Sequence, residues 1–170
     1  MIGITQYLQE VYEDLQKYID NDVCLCKFKK LNFEAGSLPD YEDINIQQLY
    51  LLRYAFAYAF EYSRMYLDVL AQMDDVNNIS ATSVGCGSMI DYWSLVHVLE
   101  MKHKIDCSIR YVGIDKIDWN YKIRQRQNDE LHYLIGNAAD FFTNNSRFIS
   151  DVYFFPKSIS EFSETECYGK

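Results

Sequence analysis

The sequence predicts an α/β protein in which a helical N-terminal region precedes a parallel β-sheet. Three observations carry that expectation. Up to about Met73 the apolar residues recur at helical spacing. From Ile79 onward short apolar runs alternate with helical stretches. The first of those runs ends in Gly85-Cys86-Gly87. Strands that alternate with helices form a parallel sheet under right-handed crossovers.

Ile4, Leu8, Val11, Leu15 and Tyr18 step by four and three, which places them on one face of a helix. Residues 21–41 hold Gly36 and Pro39 and read as a connection, with a short extended piece at 23–28. A second helix is expected from Asp43–Asn45 to about Met73, with Asn45 and Gln48 as its capping pair. Within it Tyr50, Tyr54, Tyr58, Tyr62 and Tyr66 recur every four residues, and Leu51, Leu52, Phe56 and Phe60 cover other faces. A helix apolar nearly all round is expected to be buried on more than one side. Its tyrosine hydroxyls need polar partners or water. Strands are then expected at 79–84, 108–114, 131–135 and 149–155, and helices at 88–103, 119–129 and 138–144.

The bulk composition narrows the class of protein. The chain has 170 residues, 49% of them hydrophobic, which suits one sizeable core. The boundary is placed between a helical region at 1–74 and a sheet region at 75–170. A net charge of −9 opposes general attraction to nucleic acid. Lys116, Lys122, Arg124 and Arg126, with Trp119 and Tyr121 among them, read as a solvated helix face rather than a nucleic-acid patch. Cys24, Cys26, Cys86, Cys107 and Cys167 are odd in number and irregular in spacing, which fits reduced thiols in a cytoplasmic protein. Cys24-x-Cys26 has no second pair at ligand spacing, and His97, His103 and His132 show none, so no metal is expected. Neither a membrane span nor a signal peptide is expected.

The turn at Gly85-Cys86-Gly87 carries the chemistry. A strand, a tight Gly-x-Gly turn and a helix start make a seat for a nucleoside-type cofactor. Glycine lets the backbone come close to the ligand, and the helix start offers free N–H donors. The second strand ends in Asp115, whose carboxylate can accept hydrogen bonds from ribose hydroxyls.

These residues resemble the cofactor-binding half of the class I methyltransferases that use S-adenosyl-L-methionine. Ser83-Val84-Gly85-Cys86-Gly87 resembles the glycine-rich first motif, and Tyr111-Val112-Gly113-Ile114-Asp115 the second strand with its ribose acid. Ile135-Gly136-Asn137-Ala138-Ala139-Asp140 is similar to the segment at the adenine edge. The stretch from Asp151 to Ser158 sits where the fourth strand delivers residues to the active site. The tyrosine-rich helix, Gly-Cys-Gly, Gly-Ile-Asp and Phe-Pro-Lys-Ser-Ile-Ser-Glu, in that order, also resemble a group of bacterial methyltransferase-like proteins that brings no substrate with it.

The resemblance implies a partial Rossmann-like sheet of order 3-2-1-4 and a cofactor held by Ser83, Gly85, Cys86, Gly87, Asp91, Asp115, Asn137 and Asp140. Gly85 and Gly87 lie beneath the methionine part, Asp115 meets the ribose, and Asn137 or Asp140 accepts from the adenine amino group. Asp91 either meets the cofactor ammonium, in place of the acid missing at Ser83, or compensates the dipole of the helix it opens. Lys157 and Ser158 are the substrate candidates. The chain departs from the family pattern at Ser83, where an acid is usual, at Met89, where the third glycine stands, and at Asn137, where many members have Asp. Methyl transfer from a sulfonium needs no metal, and the protein mainly positions the nucleophile.

The leading expectation is therefore a methyltransferase or its cofactor half. The alternative is a non-catalytic interaction module on a degenerate methyltransferase fold. A nicotinamide enzyme would want a third glycine at Ile90. The family's sheet has seven strands, and this chain ends soon after the fourth. A homodimer, or a partner chain covering the edge of the fourth strand, is expected on that ground.

Overall fold

A computed structural model of the chain describes residues 3–19, 40–73 and 76–156. The elements run α1 (Ile4–Ile19), α2 (Ile44–Leu70), β1 (Asn78–Val84), α3 (Ile90–Met101), β2 (Ser108–Asp115), β3 (Glu130–Ile135), α4 (Ala138–Asn144) and β4 (Val152–Phe154). The strands form one parallel sheet in the order β3-β2-β1-β4, which is the expected α/β, Rossmann-like topology.

The helical stripe of α1 buries Ile4, Tyr7, Leu8, Val11 and Leu15. The cap of α2 is not the expected pair. Asp43 stands extended and its carboxylate accepts from the Asn45 N–H at 2.9 Å, while Asn45 and Gln48 are drawn into the interior. Leu51, Ala55, Ala59, Tyr62, Tyr66 and Leu70 form the buried stripe of α2, which packs against α3. Phe56 and Phe60 do not find the cover expected of them, and Phe60 is 80% exposed. They lie about 100° around the helix from Ala55 and Ala59, on its exposed side.

On one face of the sheet, Ile79, Ala81, Ile109, Tyr111, Val152 and Phe154 join the core made with α1, α2 and α3. On the other, Val84, Val112 and Ile114 pack under Ala138, Phe141 and Phe142 of α4. That second face turns polar toward the amino ends of the strands. Asn78, Ser80, Ser108, Arg110, Glu130 and His132 alternate with inward apolar residues, and Ser80 bonds Asp151 at 2.7 Å. Such alternation suits a face open to water.

One further expectation needs correction. Residues 119–129 are not a helix. Tertiary partners claim the backbone groups a helix would use. The Asn120 N–H donates to Gln47 Oε1, and the Ile123 N–H to the Ser88 carbonyl. The basic residues there are pinned individually: Lys122 to Asp118, Arg124 to Glu10 and Arg126 to Asp129. They therefore form no helix face. In β4 the apolar run is covered unevenly, with Phe142 of α4 beside Tyr153 on the second face. Tyr62 and Tyr66 of α2 pack on Phe154, whereas Tyr153 points the other way and is 41% exposed.

Candidate functional site

The carboxyl ends of β1, β2 and β3 converge on the glycine turn. Gly85 and Gly87 adopt φ of 72° and 52°, in the left-handed region that glycine enters without strain. The Gly85 N–H bonds the Ile114 carbonyl at 2.8 Å, which hooks the turn to β2. Asp115 then reaches back. Its Oδ2 accepts from the Gly87 N–H at 2.8 Å and its Oδ1 from the Ile117 N–H at 2.9 Å. Burial raises its pKa, and those amide bonds oppose the rise. Beneath the turn, a Cβ on Gly113 would stand 2.8 Å from Cys86 Sγ, so only glycine admits the buried thiol.

Met89 explains one departure from the glycine pattern. It has φ 65° and ψ 38°, the left-handed conformation that favours glycine. The backbone of a third glycine is thus kept with a side chain attached. Met89 is buried, and its packing offsets the strain.

Asp91, in the first turn of α3, is 1% exposed. Its carboxylate accepts from Tyr111 Oη at 2.9 and 3.1 Å. Ser83 lies beside it and helps to favour its ionised form, although Ser83 Oγ makes no hydrogen bond of good geometry. Tyr66 Oη, buried close enough to feel the Asp91 charge, has no partner either. Burial pushes the Asp91 pKa up to about 6, against the lowering effect of Ser83, Tyr111 and nearby backbone amides. No cation pairs with this carboxylate among the described residues. A buried acid without a counter-charge is rare, because desolvation of an ion is costly.

Over the turn lies Trp119. Its indole atoms Cε2 and Cζ2 stand 3.5 Å from the place of a Cβ on Gly87. Its ring packs against Tyr41 and Tyr50, with centroids 5.5 Å away in each case. At the end of β3, the Gly136 N–H bonds the Asp115 carbonyl at 2.8 Å, which sets Asn137 beside β2. Asn137 caps α4 by accepting from the Ala139 N–H at 2.9 Å, and Asp140 stands exposed in the first turn.

The structure therefore gathers Ser83, Gly85, Cys86, Gly87, Asp91 and Asp115 around one turn, with Asn137 on its flank. Lys157, Ser158 and the Cys24-x-Cys26 pair lie outside the described residues. Sequence reasoning missed Tyr111, Tyr66 and Trp119. Strand alternation could have marked Tyr111, which shares a face with Ile109 and Gly113. Nothing local marks the other two.

No protein-family model matches the sequence, and no curated protein does. Among solved structures the chain is similar to the crystal structure of MNMC2 from Aquifex aeolicus, at 15% identity and a TM-score of 0.42. That likeness covers 60% of this chain and 40% of the other, so the chain spans well under half of that protein.

Proposed function

We propose that the chain binds S-adenosyl-L-methionine at the carboxyl end of β1 and β2 and serves methyl transfer to an acceptor of undefined class. The observation that carries this reading is Asp91, a buried carboxylate without a cation at the start of the helix that follows Gly-x-Gly. A dinucleotide cofactor puts a pyrophosphate at that helix start, where this carboxylate would repel it. A cationic ligand supplies the counter-charge that Asp91 lacks. S-adenosyl-L-methionine carries both an ammonium and a sulfonium, and once bound it supplies an activated methyl group.

The residues divide the task. Asp91, with Ser83 beside it, faces the ammonium. Gly85, Cys86 and Gly87 offer main chain close to the methionine part. Asp115 has used one lone pair on each oxygen, and a carboxylate has about four acceptor sites, so it can still take ribose hydroxyls. Asn137 or Asp140 meets the adenine amino group, and Lys157 and Ser158 remain the substrate candidates.

A second reading, a non-catalytic interaction module, is favoured by Trp119 against Gly87 and by the bonds from Asp115 to its own backbone. A thermal-shift screen with S-adenosylmethionine, S-adenosylhomocysteine and NAD separates the readings. The cofactor reading expects the first two to raise Tm and NAD to leave it unchanged. No shift with any of them leaves the module reading ahead.

A further inference from the structure

We propose that residues 116–129 form a strap whose Trp119 plugs the cofactor site, so that a ligand enters only when the strap lifts from the glycine turn. This rests on the cofactor reading above. The indole packs over Gly87 at the place a Cβ would take, and it is 5% exposed between that glycine, Tyr41 and Tyr50.

The fastening of the strap is uneven. Its far end is firm. Asp129 is buried and accepts from the Ile109 N–H at 2.9 Å, from Tyr92 Oη at 2.6 Å and from Arg126 at 2.8 Å. Its middle is held to the N-terminal helices by separate polar contacts. Tyr7 Oη donates to the Tyr121 carbonyl at 2.8 Å, the Asn120 N–H to Gln47 at 2.9 Å, and Arg124 pairs with Glu10 at 3.1 Å on the surface. Each such contact contributes modestly, and an exposed ion pair least of all. The strap has no helix or strand bonds, and its apolar anchors in the core are Trp119 and Ile123, so opening it means lifting these two side chains from their seats.

Space beside the strap points the same way. A pocket of 260 Å³, open to solvent, lies between α1 and the strap, lined by Tyr7, Tyr121 and Ile123 and by the charged Glu10, Asp14 and Arg124. This open space gives the middle of the strap somewhere to move. Closure then lowers the apparent affinity to the intrinsic affinity multiplied by the fraction of molecules that are open. Loosening α1 from the strap raises it, which couples the N-terminal helix to the site.

The test uses the whole chain with Trp93→Phe, which leaves Trp119 as the only tryptophan. S-adenosylhomocysteine is titrated while Trp119 emission is followed. The strap predicts a saturable red shift as the indole leaves its apolar seat. By calorimetry, Trp119→Ala in the otherwise unaltered chain should bind about tenfold tighter, and Tyr7→Phe about threefold tighter. Binding with unchanged emission, or weaker binding by Trp119→Ala, overturns the strap and leaves the cofactor reading standing. Absence of binding by the parent and by both variants overturns the two together. If Trp93→Phe fails to fold, the calorimetric comparison decides alone.

Discussion

Replacing Asp91 by asparagine should stabilise the fold at neutral pH, and the size of the effect follows from its burial. The folded chain holds this carboxyl at a pKa of about 6, against the ordinary 3.8. Between those values the folded state keeps a proton that the unfolded chain has released, so stability falls as pH rises from about 4 to about 6. Above that window the loss is complete. A difference of about 2.2 pH units at ~1.4 kcal/mol each gives about 3 kcal/mol as an upper figure. The neutral amide of Asp91→Asn carries no such penalty, and its carbonyl can still accept from Tyr111. Urea unfolding of the parent and Asp91→Asn should therefore differ most at pH 8. For an m-value near 2 kcal/mol/M the midpoint of the variant rises there by up to about 1.5 M. Near pH 4 the two midpoints should meet. Equal displacement at both pH values, or a less stable variant at pH 8, would refute the reasoning. A residue that costs the fold this much stability is the kind that function retains.

Other expectations follow from particular contacts. Gly113→Ala drives a Cβ to within 2.8 Å of Cys86 Sγ and should destabilise by about 1–3 kcal/mol, with part of the loss recovered in Cys86→Ala as a double-mutant cycle by urea unfolding. Asp129→Ala leaves Arg126, Tyr92 and the Ile109 N–H without their shared acceptor and should cost about 3–5 kcal/mol in the same assay. Met89→Gly relieves a left-handed residue by about 1–2 kcal/mol but removes a buried side chain of about 2–5 kcal/mol, so a lower Tm is expected; a higher one would show that strain dominates. Asp115→Ala should weaken S-adenosylhomocysteine binding by about 1.5–3 kcal/mol in calorimetry, and equal affinity would remove Asp115 from the site.

Much of the sheet was legible because its signals are local. The apolar run at 79–84 and the acid at Asp115 announce β1 and β2, and Ala138–Asn144 is a helix as its pattern foretold. The glycine turn could be placed because Gly85 and Gly87 answer a backbone requirement that few other residues meet. The segment 119–129 defeated the reading because its partners, Gln47, Tyr7 and Ser88, come from distant parts of the chain. Periodicity cannot see such contacts. The same holds for Asp91. Its place in a helix first turn was visible, but its isolation beside Ser83, Tyr66 and Tyr111 required the strands to be assembled. The exposure of Phe56 and Phe60 was hidden in turn, because a helix wheel does not say which apolar face finds a neighbour.

The pH dependence of S-adenosylhomocysteine binding tests most directly the proposal that Asp91 is the counter-charge for a cationic cofactor. With a pKa of about 6, Asp91 is ionised at pH 7.5 and mostly protonated at pH 5. Calorimetry should give an affinity about tenfold lower at pH 5 than at pH 7.5. Near pH 6, heats in buffers of different ionisation enthalpy should reveal proton release on binding. Asp91→Asn should bind weakly at both pH values, with no proton released. An affinity indifferent to pH, or to the loss of Asp91, would contradict the account.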